Sequence, residues 1–129
     1  MKILCLGHAA YDITIPVDSY PIENTKNRVH ERVECGGGPS ATAAYLLGSW
    51  GADTAFAGIV GNDLYGHNIK KEFENVHVNT KYLEISDQHI TTSSFILANS
   101  IISFLSLPAS IILMALGYLL IISRLLSGS

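Results

Sequence analysis

Gly36-Gly37-Gly38-Pro39-Ser40-Ala41-Thr42-Ala43-Ala44 decides the reading of this chain. Three bare glycines stand between a strand-like run and a helix-forming run. Backbone without side chains comes close to a ligand, and the N–H groups at a helix start suit polar or anionic groups. Pro39 fits the first turn of a helix. From Ala41 to Trp50 the residues are good helix formers, with no breaker before Gly48 and Gly51. A second block of the same kind, Val60-Gly61-Asn62-Asp63-Leu64-Tyr65-Gly66, separates an apolar strand at Thr54–Val60 from another helix. Asp63 is its natural N-cap, and Tyr65, Ile69, Phe73 and Val76 recur on one face.

Outward from these blocks, Ile3-Leu4-Cys5-Leu6 reads as a buried parallel strand ending at Gly7. Ile13, Ile15 and Val17 alternate with Thr14 and Pro16, and the proline points to an edge. Residues Arg28–Cys35 alternate as a second exposed strand. Lys81–Ile85 and Thr92–Ala98 read as strands around a polar loop at Ser86–His89. Strand and helix alternate as in an α/β protein with a parallel sheet, and the exposed strands imply a smaller additional sheet.

Composition divides the chain in two. All eleven acids and seven of the eight Lys and Arg lie in residues 1–87, and Arg124 is the eighth. Net charge is −3 with no basic stripe, which gives no basis for nucleic-acid binding. Two cysteines, Cys5 and Cys35, are too few for a disulfide scaffold and read as buried thiols of a reducing compartment. The five histidines have no metal-ligand spacing. From Ile101 to Leu126, nineteen of twenty-six residues are apolar. As a helix this segment would run roughly 39 Å, enough to cross a bilayer, although Pro108 interrupts it. Three readings of this tail stay open: a membrane anchor, a core helix, or translation in a disrupted frame. A core helix with no polar face would need burial all round, more than ninety residues can provide.

The pattern of Gly7 five residues before Asp12, then Gly37-Gly38, then Gly51 and Gly61 ten apart, then Gly-x-Asp-x-x-Gly at Gly61–Gly66, resembles the amino-terminal third of the PfkB/ribokinase family of sugar kinases. The resemblance covers about Lys2–Asn99. It implies a doubly wound α/β domain with a small β-lid over the sugar, here truncated and followed by an apolar helical tail. Residues 1–99 would be the kinase part and 100–129 the tail. The resemblance implies that Asp12, Gly37, Gly38 and Thr42 bind substrate, a small-molecule sugar or nucleoside, with Thr92 and Ser93 as further lid candidates. ATP and Mg²⁺ are the implied cofactors, a lid-mediated homodimer the implied assembly, and the cytoplasm the implied compartment, unless residues 101–126 anchor the chain in a membrane. The family usually has Asn where Thr42 stands, and Thr lacks the second contact of an amide. Ser40 stands where a smaller or apolar residue is usual, and Ala10 where ribokinases often carry a polar one. The Asp-Thr-x-Gly-Ala-Gly-Asp stretch that supplies the family's catalytic base and anion hole has no counterpart in the sequence. The expectation is a chain that keeps sugar-side residues, assigns no residue to catalysis, and is inactive as a kinase by itself; the alternatives are a non-catalytic sugar-binding or assembly module and a tail-anchored membrane protein. In this reading Asp63 is a cap, and Glu72 and Glu74 lie on a solvated helix face.

Overall fold

The computed structural model describes residues 2–99. The expectations for the apolar tail concern residues outside that range. The described elements are β1 (Lys2–Leu6), β2 (Ala10–Val17), β3 (Val33–Gly37), α1 (Pro39–Ser49), β4 (Asp53–Gly61), α2 (Leu64–Asn75), β5 (Asn79–Ser86) and β6 (Ser93–Asn99).

Two three-stranded sheets form. The first, in the order β1-β4-β5, is parallel throughout. The second has the order β3-β2-β6, with β2 antiparallel to β3 and parallel to β6. A parallel sheet needs crossover connections, and α2 supplies one between β4 and β5. Both helices pack on the sheet face that carries Phe56 and Leu83. There Ala41, Ala44, Phe56, Ile69, Phe73, Val78 and Leu83 share one core with Tyr11 and Ile13 of β2. The second sheet therefore joins the core through β2.

Several sequence expectations change in detail. β1 is parallel, as its apolar run implied, yet it is not buried on both faces. Leu6 is 74 % exposed, and Leu4 is also exposed. Register aligns Leu6 with Ala57 and Ala57 with Tyr82, so these side chains and Ile59 form an apolar face that no described helix covers. The run at 28–35 is strand only from Val33, and that strand continues through Gly36 and Gly37. Pro16 lies in the middle strand of its sheet instead of an edge strand. It is tolerated because β3 pairs with β2 only from Ala10 to Thr14, and beyond that point β6 is the sole described neighbour. The α1 helix begins at Pro39, with Pro in its first turn and Trp50 as C-cap.

Candidate functional site

Ligands of open α/β sheets bind beyond the carboxyl ends of the parallel strands. Here β1 ends at Leu6. The chain turns through Gly7, His8 and Ala9 into β2, and Ser40 in the first turn of α1 donates to the Leu6 carbonyl at 3.0 Å. This stitches the start of α1 to the end of β1.

Asp12 is the third residue of β2, in register with Cys35 of β3 and Ser94 of β6. Gly37 is the diagonal neighbour of Asp12 on the same face, two residues beyond Cys35. A Cβ added to Gly37 would collide with Asp12 Oδ2. Gly37 is thus bare because the Asp12 carboxylate occupies the space a side chain would need. Among the described residues no side-chain hydrogen bond or ion pair engages that carboxylate. It therefore keeps its full acceptor capacity.

Gly38 caps α1 at φ 95°, a conformation that L side chains rarely adopt. Its carbonyl accepts the first helical bond from Thr42 N–H at 2.8 Å. Thr42 is buried, 7 % exposed, one turn into the helix. Asp12 and Gly37 are in contact, and Gly38 and Thr42 follow through the backbone. No hydrogen bond among the described residues joins the Thr42 side chain to Asp12.

The second glycine block builds a different device. Asp63 caps α2 by accepting from Gly66 N–H at 2.8 Å, as its position implied. It also accepts from Thr91 N–H at 2.7 Å and from Thr91 Oγ1 at 2.8 Å. Thr91 Oγ1 in turn accepts from Gly61 N–H at 2.9 Å. Burial pushes the Asp63 carboxyl up, but the hydrogen bonds from Thr91, Gly66 and Tyr65 together outweigh it and hold its pKa below the usual carboxylate value. A depressed folded pKa means stabilisation that is complete above the unfolded pKa and lost as pH falls through the folded one. Asp63→Asn is therefore expected to cost stability at neutral pH. The gap from the parent should narrow only as pH falls below the ordinary value of 3.8. Urea midpoints from about pH 7 to about pH 2 measure that gap, and a gap that closes well above pH 3.8 would contradict the cap-and-clasp assignment.

Glu72 corrects the sequence reading. It does not lie on a solvated face. Its carboxylate is half-buried and accepts from Gly36 N–H at 2.8 Å. Desolvation pushes its pKa up, partly offset by that bond. Position explains the change: Glu72 stands three residues after buried Ile69 and next to buried Phe73, at the border of the apolar face. Glu74 is the exposed one and lies 3.8 Å from Lys70. Cys35 is half-buried, and burial, Glu72 and Asp12 all push its thiol up, which disfavours a nucleophilic thiolate. Ser94, which no sequence signal marks, is the register partner of Asp12, and the lid candidates Thr92 and Ser93 are both exposed. No cluster of three or more potential metal ligands occurs among the described residues.

A twisted parallel sheet with two covering helices, joined to a small sheet carrying an acid beside a glycine pair, defines a ribokinase-like α/β fold. The chain belongs to the pfkB family of carbohydrate kinases, whose family model matches residues 1–105. It is 25 % identical over 99 residues to an ATP-dependent ribose-1-phosphate kinase of Halopiger xanaduensis, covering 77 % of this chain and 33 % of that protein. It is 27 % identical over 95 residues to a nucleoside kinase of Methanocaldococcus jannaschii, covering 74 % of this chain and 32 % of that one. Among solved structures it is similar to the ribokinase of Arabidopsis thaliana complexed with ribose and ATP. That TM-score is 0.68 at 21 % identity, over 77 % of this chain and 32 % of the other, and the likeness speaks to the fold. The chain spans about a third of the length of the curated relatives it matches. No described helix is long and apolar enough to cross a membrane.

Proposed function

We propose that residues 1–99 form the sugar-side part of a PfkB-type kinase domain. In this reading the part binds hydroxyls of a small sugar or nucleoside through Asp12, Gly37, Gly38 and Thr42. One observation carries it: the Asp12 carboxylate lies against bare Gly37 with no side-chain partner among the described residues. A carboxylate accepts hydrogen bonds from vicinal hydroxyls, and the bare glycine leaves room for that carboxylate. The relatives support the same reading, since one is named an ATP-dependent ribose-1-phosphate kinase and another a nucleoside kinase.

Phosphoryl transfer depends on positioning the phosphate and stabilising its charge. The family implies ATP with a divalent cation. Such a cation is held mainly by the nucleotide phosphates with one or two carboxylates, and this reading assigns none of the described residues to it. The sequence also lacks the glycine-rich stretch with its base. The second part of the proposal is that this chain binds substrate without phosphorylating it.

The test titrates D-ribose, D-fructose and adenosine into the purified chain, and then assays ATP-dependent phosphorylation of each. Binding of at least one probe is expected, weakened about tenfold or more by Asp12→Ala, the loss of hydrogen bonds to a charged acceptor. No phosphorylated product is expected. Probe binding that survives Asp12→Ala would remove Asp12 from the site, and product formation would overturn the inactive reading.

A further inference from the structure

Helix α2 touches β2 and β3 of the second sheet through polar and aromatic side chains, and its N-cap Asp63 holds the segment that leads into β6. At its start, Asp63 binds both the N–H and the hydroxyl of Thr91, two residues before β6 begins. Two residues on, Tyr65 stacks on Tyr11 of β2, with ring centroids 4.7 Å apart and planes 16° apart. Asn68 Nδ2 donates to the Tyr11 hydroxyl at 3.1 Å. Near the other end, Glu72 accepts from Gly36 N–H of β3.

The gripped residues are next to the candidate binding residues. Tyr11 precedes Asp12, and Gly36 precedes Gly37. Side chains alternate along a strand, so Tyr11 turns toward α2 while Asp12 turns to the opposite face. A rigid hold on Tyr11 and Gly36 from one side thus fixes the acid and the bare glycine on the other. The segment leading into β6 is also tied to the first sheet, because Gly61 at the end of β4 donates to Thr91 Oγ1. A polyol site built from the second sheet and the start of α1 needs such a hold, since a misplacement of about 1 Å is enough to lose much of a polar site's effect.

We propose that α2 is a brace that sets the second sheet against the first, and that Glu72, Asn68 and Asp63 are positioning residues for the sugar-side site. The proposal rests on Asp12 and Gly37 being that site. Glu72 is its most direct test, because a single carboxylate makes the only described side-chain contact to the Gly36 amide.

The experiment compares the full chain with Glu72→Ala, Glu72→Gln and Asn68→Ala. It reads amide hydrogen exchange at Tyr11, Gly36 and Gly37, the urea midpoint, and the dissociation constants of D-ribose and adenosine. Glu72→Ala is expected to speed exchange at Gly36 and Gly37 about tenfold beyond the change in global stability, and to weaken probe binding by a similar factor. Glu72→Gln keeps an oxygen acceptor for Gly36 N–H and is expected to restore both. Asn68→Ala should act at Tyr11 in the same way, and it keeps the test open if Glu72→Ala fails to fold. Local exchange that only tracks global stability, or a glutamine that fails to restore Gly36 protection, would overturn the brace. If the parent chain binds neither probe, the sugar-side reading fails, while the exchange comparison still decides the brace.

Discussion

Gly38→Ala is expected to lower the unfolding free energy by about 3 kcal/mol or more and to disturb the start of α1. Two effects add. Gly38 has φ 95° and ψ 142°, a region essentially reserved for glycine. A Cβ there would also lie 2.7 Å from the His8 carbonyl oxygen and 3.3 Å from Ala9 Cα, both backbone atoms that cannot swing aside. Relief would require the β1–β2 turn or the α1 N-terminus to move. The Gly38 carbonyl accepts the first α1 bond from Thr42, so a shift there reaches the helix that carries Thr42. Gly51→Ala is the matched control. Gly51 is also left-handed, at φ 82°, but an added Cβ would meet nothing within 4 Å. It is expected to cost only the conformational strain, about 1–2 kcal/mol. Chemical denaturation of the two variants separates strain from clash, and equal costs would show that the His8 carbonyl yields.

The same glycine shows what the sequence could convey. A glycine block between strand and helix announces close backbone approach, and Pro39 fixes the helix start, so Gly37, Gly38 and the start of α1 were legible. Asp63 was legible as a cap for the same local reason. Its second role was not, because Thr91 is 28 residues away and only the pairing of β6 with β2 brings it near. Glu72 was misread because periodicity assigns a residue to a face without knowing what stands opposite. The partner is the Gly36 amide of β3, 36 residues away in sequence. Ser94 escaped notice because register, not composition, sets it beside Asp12. The apolar run in β1 told the strand type correctly and its burial wrongly, since two-sided cover depends on elements beyond the strand itself.

Phe56→Ala is expected to cost about 3–5 kcal/mol, the usual range for removing a buried aromatic ring. Phe56 is fully buried, the largest such side chain in the core. Its ring lies 4.8 Å from that of Phe73 with planes tilted by 34°, and this contact holds α2 on β4. The ring also fills space that the chain leaves for it. An added Cβ on Gly58 would come within 2.8 Å of Phe56 Cε1, so the glycine two residues along the same strand is matched to the aromatic. Removing the ring leaves a cavity whose walls are strand backbone and α2, neither of which collapses easily. Domains of this size usually have only about 5–15 kcal/mol of total stability. One face of the parallel sheet here is already uncovered among the described residues. The expected loss is therefore a large fraction of the whole. Its effect should also extend to α2, loosening the contacts to Tyr11, Gly36 and Thr91 together. Urea unfolding followed by circular dichroism gives the global cost, and Phe56→Leu, which keeps most of the apolar volume, should recover more than half of it. A cost near 1 kcal/mol for Phe56→Ala would mean that α2 is held to the sheet mainly by its polar contacts, and the core assignment would have to give way to them.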